Sequence, residues 1–232
     1  PSTILATTFT DESDKFGLAG GNDACWFDFN NDGFVDICAG GKVFRNEKGQ
    51  KFVYVADVGS SVAADFDNDG YLDLYSWGSR KLFRNIEGER FEAVKLPNLP
   101  KGGSLGASWG DFNNDGFVDL YVGGYESWPK DTYADFILTN EEGKSFKVNW
   151  QEVRYRARGI SSCDFDRDGD LDIYVSNYRL QPNILWQNNG KGKFTDITGE
   201  FGALANGPGF GGGHSIGASW GDFDNDGNFD LF

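Results

Sequence analysis

The stretch Gly106-Ala-Ser-Trp109-Gly110-Asp111-Phe-Asn113-Asn-Asp115-Gly116-Phe-Val-Asp119-Leu-Tyr-Val122 decides the fold. Its centre follows the template D-x-[DN]-x-D-G-x-x-D, set between a small-residue segment and an apolar one. The same centre recurs as Asp28-Phe-Asn30-Asn-Asp32-Gly33-Phe34-Val-Asp36 and as Asp65-Phe-Asp67-Asn-Asp69-Gly70-Tyr71-Leu-Asp73. It appears again as Asp164-Phe-Asp166-Arg-Asp168-Gly169-Asp170-Leu-Asp172 and as Asp222-Phe-Asp224-Asn-Asp226-Gly227-Asn228-Phe-Asp230. The first residues stand 37, 46, 53 and 58 positions apart, a spacing that means a repeat architecture.

Such a loop has a physical purpose. Oxygen ligands at positions 1, 3 and 5 converge when it curls, and the carbonyl of position 7 and carboxylate of position 9 close the shell. Glycine at position 6 permits the bend. An all-oxygen set without His or Cys selects Ca²⁺ over zinc or copper. Mg²⁺ fits less well, since it prefers a smaller, rigid octahedron that keeps several waters. A solvated hairpin turn would explain one such loop, but not five in one register. A helix-flanked calcium loop would need a carboxylate at position 12, where this chain has Ala39, Ser76, Val122 and Val175. The flanks alternate as strands do, in Val118-Asp-Leu120-Tyr-Val122 and Leu171-Asp-Ile173-Tyr-Val175. The loops are therefore expected at β-hairpin tips.

Alignment on the loops exposes the rest of the unit. A small-residue strand precedes each loop, as in Gly106-Ala-Ser-Trp109 and Gly217-Ala-Ser-Trp220, and an apolar strand follows. A third strand ends alike in Lys42-Val-Phe-Arg-Asn46, Lys81-Leu-Phe-Arg-Asn85, Phe136-Ile-Leu-Thr-Asn140 and Asn183-Ile-Leu-Trp-Gln-Asn188. A glycine turn then leads to a fourth strand at Phe52, Phe91, Phe146 or Phe194. Four antiparallel strands per repeat predict an all-β fold, a β-propeller of four-stranded blades. Small residues on the first strand suit the crowded axis.

This unit resembles the FG-GAP repeat of integrin α-subunit propellers and the related VCBS-type repeats of bacterial secreted proteins. The resemblance covers essentially the whole chain, with Gly-Ala-Ser in place of the usual Gly-Ala-Pro. It implies five Ca²⁺ sites. Their side-chain ligands would be Asp28, Asn30, Asp32 and Asp36; Asp65, Asp67, Asp69 and Asp73; Asp111, Asn113, Asp115 and Asp119; Asp164, Asp166, Asp168 and Asp172; and Asp222, Asp224, Asp226 and Asp230. The carbonyls of Phe34, Tyr71, Phe117, Asp170 and Asn228 would complete them.

One propeller domain over 1–232 is expected, with repeat cores at 22–57, 60–96, 104–150, 158–199 and 215–232. Phe9-Thr-Asp11 parallels Phe194-Thr-Asp196, so residues 7–11 are expected to supply a fourth strand that closes the last blade. Either the ring has five blades and lacks about one strand, or the chain is a fragment of a larger, seven-bladed propeller. Without an initiator Met, Pro1 reads as the start of a processed or truncated chain, with any signal peptide out of view.

The chain has 36 acidic and 21 basic residues, a net charge of −15. Positions 1, 3, 5 and 9 of the loops hold 18 of the acids, so five Ca²⁺ would bring the charge to −5. Nucleic acid is not an expected partner, since phosphate binding needs Lys and Arg concentrated on one face. No apolar run is long enough for a membrane span. Cys25, Cys38 and Cys163 lack C-x-x-C spacing; Cys25 and Cys38 could form a disulfide, though three free thiols are the expected state. His214, the one histidine, gives no support to a catalytic triad.

Trp26, Trp109 and Trp220 share one repeat position and are expected to pack between blades. Tyr125, Trp128, Tyr133, Tyr178, Arg179 and Trp186 could form an aromatic platform for a ligand, or pack on their own blades. The functional expectation is an extracellular, calcium-binding propeller that recognises a glycan or protein on the face opposite the calcium loops. The alternatives are the propeller of a secreted polysaccharide-degrading enzyme, lyase-like, and a self-assembling subunit of a surface layer or filament.

Overall fold

The computed structural model describes residues 9–18, 21, 23–127, 131–152, 155–205 and 213–232. The first repeat forms a meander of β1 (Ala24–Phe27), β2 (Asp36–Ala39), β3 (Lys42–Asn46) and β4 (Phe52–Asp57). The second is β5 (Ser61–Ala64), β6 (Asp73–Ser76), β7 (Lys81–Ile86) and β8 (Arg90–Val94). In the third, β9 (Ser104–Gly110) and β10 (Asp119–Gly124) precede a small ribbon, β11 (Glu126–Ser127) with β12 (Asp131–Thr132). Strands β13 (Asp135–Glu141) and β14 (Ser145–Glu152) complete that sheet. The fourth is β15 (Ala157–Cys163), β16 (Asp172–Asn177), β17 (Ile184–Asn188) and β18 (Phe194–Asp196). In the fifth repeat β19 (Trp220–Gly221) pairs with β20 (Asp230–Leu231). The architecture is the expected all-β propeller, with four four-stranded blades among the described residues.

Every acid loop joins the first strand of its repeat to the second, with the same backbone path. Position 4 has φ of 56–62° at Asn31, Asn68, Asn114, Arg167 and Asn225, and position 6 has 85–94° at the five glycines. Glycine and asparagine tolerate this left-handed region best, which is why the motif spells Asn-Asp-Gly.

Strands β6, β10 and β16 are buried along their whole length, because neighbouring blades cover both faces. The core therefore lies between blades. Tyr75 and Leu82 of the second pack with Leu120, Val122, Phe136 and Leu138 of the third. Tyr121 and Ile137 of the third meet Ile173, Val175 and Ile184 of the fourth. In the first three loops the phenylalanine at position 2 enters the interface and meets the fourth-strand phenylalanine of the next blade: Phe29–Phe91 at 5.7 Å, Phe66–Phe146 at 5.5 Å and Phe112–Phe194 at 5.8 Å. Burying one such ring contributes about 2–3 kcal/mol.

The small-residue first strands are where blades approach most closely. A Cβ on Gly106 would lie 2.5 Å from the Arg158 carbonyl oxygen, and one on Gly159 would lie 2.4 Å from that of Ile216.

Two aromatic expectations need correction. Trp109 and Trp220 do pack on the preceding blade, against Tyr75 and Tyr174 respectively. Trp26 is 61% exposed, because no blade precedes its own among the described residues. Trp186 is 2% exposed and packs edge-on against Trp150 at 5.4 Å, so it belongs to the core and to no surface platform. Trp186 stands on the third strand of the fourth blade and faces the third blade, so its ring is buried between the two.

Residues 7 and 8 of the expected closing strand lie outside the described residues, and 9–11 carry no strand. They lead into α1 (Ser13–Phe16), whose Phe16 packs on Phe52 of the first blade at 5.7 Å. Cys25 and Cys38 are direct cross-strand neighbours, and all three cysteines are free thiols. No helix among the described residues is long and apolar enough to cross a membrane.

Candidate functional site

Each acid loop is held by its own carboxylates. In the first, Asp28 accepts the Asp32 N–H at 3.2 Å and the Gly33 N–H at 2.8 Å, and Asp32 accepts the Phe34 N–H at 2.9 Å. The second, third and fifth loops repeat this set at nearly the same distances.

Position 9 is the structural pivot. Asp36 accepts the Phe29 N–H at 3.0 Å and the Asn46 N–H at 2.7 Å. Asp73 takes Phe66 and Asn85, and Asp119 takes Phe112 and Asn140, in the same way. Asp172 accepts the Asn188 N–H at 2.8 Å, and Asp230 the Phe223 N–H at 2.9 Å. Burial pushes the carboxyls of Asp73, Asp119 and Asp172 up to about 7, against the pull of these hydrogen bonds. Asp36 and Asp67 are raised for the same reason. Ionised carboxylates so placed are costly without a nearby cation.

Three loops gather positions 1, 3 and 9 into one group with oxygens within 4.8 Å of one another: Asp65, Asp67 and Asp73; Asp164, Asp166 and Asp172; Asp222, Asp224 and Asp230. In the first and third loops Asn30 and Asn113 hold position 3, so an amide oxygen stands where the others have a carboxylate. Position 5 (Asp32, Asp69, Asp115, Asp168 and Asp226) lies outside these groups and accepts the N–H of position 7.

The donor set fits a hard divalent cation. Asn30 Oδ1, Asp67 Oδ1, Asp164 Oδ1 and Asp172 Oδ2 are buried without a hydrogen-bond partner, and all four are at loop positions 1, 3 or 9. Third-strand side chains steady position 3 from behind: Arg84 Nε meets Asp67 Oδ2 at 2.7 Å, and Gln187 Nε2 donates to Asp166 Oδ2 at 2.6 Å. These supports sit just before the recurring Asn of the third strand, a position that the motif alone does not mark as functional.

The opposite strand ends carry the other candidate residues. Tyr125 follows β10 and Tyr178 follows β16, and Arg158 of β15 lies near both rings. Arg179 pairs with Glu126 at 2.7 Å. Tyr133 is tied to Tyr125 through its N–H, and its ring lies against Gly102. Trp128 lies outside the described residues. Arg156, Arg158 and Glu126 complete the cluster. No repeat places them, so only the fold could bring them together.

A family model described as FG-GAP-like repeat matches residues 65–122 and 164–232, more than half of the chain. Both matched segments begin at the first aspartate of an acid loop. Among solved structures, that of an Agrocybe aegerita lectin, described as the basis of specific recognition of non-reducing terminal N-acetylglucosamine, is similar with 19% identity and a TM-score of 0.48. The match covers 73% of this chain and 50% of that one, so this chain spans half the length of the lectin. No curated protein matches the sequence.

Proposed function

The chain belongs to the FG-GAP-like repeat family, and on that premise we propose that it is an extracellular, calcium-stabilised β-propeller acting as a binding or adhesion module for a glycan or protein. The observation that carries this reading is the set of buried, unpartnered oxygens in the acid loops. Leaving such a group unsatisfied costs about 1–3 kcal/mol, and a cation at each loop offsets that cost.

Calcium would supply positive charge and accept a flexible shell of the loop's oxygens. The ligands would be the side chains of positions 1, 3, 5 and 9 with the carbonyl of position 7. The chain's own residues do the remaining work. Position 9 ties loop position 2 to the third strand by accepting an N–H from each. The position-2 phenylalanine links the loop to the next blade. Ordering the loops therefore stiffens the interfaces, and the opposite face gains a fixed frame for recognition. At millimolar calcium a site of about 10 μM affinity adds roughly 2.7 kcal/mol to stability. Calcium at that level is extracellular, which supports the location.

Calorimetric titration of metal-stripped protein with CaCl₂ tests the reading. Up to five sites are expected, one per loop, and one fewer in Asp164→Ala. Heats equal to the buffer blank overturn it.

A further inference from the structure

Two arginines hold one carboxylate at the end of the propeller away from the acid loops, and a third lies over the two tyrosine rings beside it. The Glu126 side chain is 4% exposed and takes Arg156 Nε at 2.5 Å and Arg179 Nε at 2.7 Å. Arg158 has no carboxylate partner among the described residues. Its guanidinium lies 5.8 Å from the centre of the Tyr125 ring and 5.1 Å from that of Tyr178. The Tyr178 ring meets His214 edge-on at 4.7 Å. Arg156 and Arg179 are thus paired, and Arg158 is left with its guanidinium over two rings, on a chain of net charge −15.

The backbone here is strained. Arg179 and Leu180 have φ of 57° and 58°, two consecutive non-glycine residues in the left-handed region. Each costs roughly 1–2 kcal/mol. The segment is held by the Leu180 N–H on the Gly213 carbonyl at 2.8 Å and by the Ser215 N–H on that of Asn177 at 3.2 Å. Strain of this kind clusters at ligand-binding loops.

We infer that this cluster binds an acidic saccharide, a sugar ring bearing a carboxylate such as a uronate. The inference rests on the binding-module reading and gives it a ligand class. Arg158 supplies a planar donor fork that matches a carboxylate bidentately. Tyr125 and Tyr178 offer flat, amphipathic rings for the apolar face of a pyranose. Glu126 holds Arg156 and Arg179 in place. A neutral sugar leaves the Arg158 guanidinium without a carboxylate, and a bare phosphate or sulfate makes no use of the rings. The carboxylates of an acidic peptide sit on flexible stems and gain less from them.

Calcium-loaded protein is titrated with three probes: xylotetraose bearing a glucuronate branch, unbranched xylotetraose, and a tetra-glutamate peptide. The branched saccharide is expected to bind at least about tenfold more tightly than either other probe. Arg158→Gln and Tyr178→Ala should each weaken it about tenfold or more while leaving calcium stoichiometry unchanged. Equal binding of the neutral saccharide overturns the acidic ligand class and leaves a glycan-binding module standing. Preference for the peptide overturns the saccharide assignment. Binding of none of the three overturns the site, whereas the calcium reading fails separately, by a blank CaCl₂ titration.

Discussion

The Asn140 side-chain amide donates to the main-chain oxygen of Phe66, 74 residues earlier, at 2.7 Å. It also donates to the Val118 carbonyl, its Oδ1 accepts the Gly143 N–H, and its own N–H goes to Asp119. One residue thus ties the acid loop of its blade to the loop of the blade before. Asn85 reaches Phe29 at 2.7 Å, and Asn188 reaches Phe112 at 2.8 Å, in the same way. Asn140→Ala leaves buried partners unsatisfied and should cost about 3 kcal/mol. Asn46, whose amide goes to Val35 of its own blade, should cost only about 1 kcal/mol when replaced by Ala. Urea unfolding midpoints of the two variants compare them; equal losses would mean that the inter-blade bond contributes nothing.

The position-2 phenylalanines should divide by burial. Phe112 is fully buried between blades, whereas Phe223, at the same repeat position, is 60% exposed. Phe112→Ala should destabilise by about 3–5 kcal/mol, and Phe223→Ala by less than about 1 kcal/mol. Thermal unfolding of both variants at saturating calcium checks the order.

Asp135 gives the stability a pH dependence of known sign. It accepts the Tyr121 hydroxyl and the Gly124 N–H, both at 2.6 Å, yet burial pushes its carboxyl up to about 7. The native state then holds a proton that the unfolded chain has released, and stability falls as pH rises from about 4 towards 7. Across that window in calcium, the unfolding free energy of the parent should fall relative to that of Asp135→Asn, which has no carboxyl there to titrate. Parallel curves would show that Asp135 does not titrate there.

Gly159 should tolerate no side chain. A Cβ there meets the Ile216 carbonyl oxygen at 2.4 Å, and main chain cannot swing aside as a side chain can. Gly159→Ala should cost about 1–3 kcal/mol. Hydrogen exchange should quicken first in 215–232, the fifth repeat that leans on this strand; uniform protection across the chain would contradict the close approach.

The fold was legible because its decisive information is local and repeated. Asp111 to Asp119 spells one loop, and five copies in register leave little room for another architecture. The spacing of Phe112 and Phe194, or of Asn140 and Phe66, carries no such mark. Asn140 could be recognised as the end of a recurring strand, but its partner lies in another repeat. The burial of Trp186 carried no mark either, because it is covered by Trp150 of the preceding blade and not by its own repeat. Glu126, Arg156 and Arg158 stayed hidden because they belong to no repeat and meet only when the strands are laid side by side. Position 5 was recognisable as an acid, but not that its oxygen caps the N–H two residues on.

Calcium-dependent stability is the point on which the rest turns, and thermal unfolding followed by circular dichroism measures it directly. Melting at roughly millimolar calcium should exceed melting in excess EDTA by more than about 10 °C, given several sites of a few kcal/mol each. An unchanged melting temperature and an unchanged spectrum in EDTA would contradict it: the carboxylates of the five loops would then be held by their own hydrogen bonds alone.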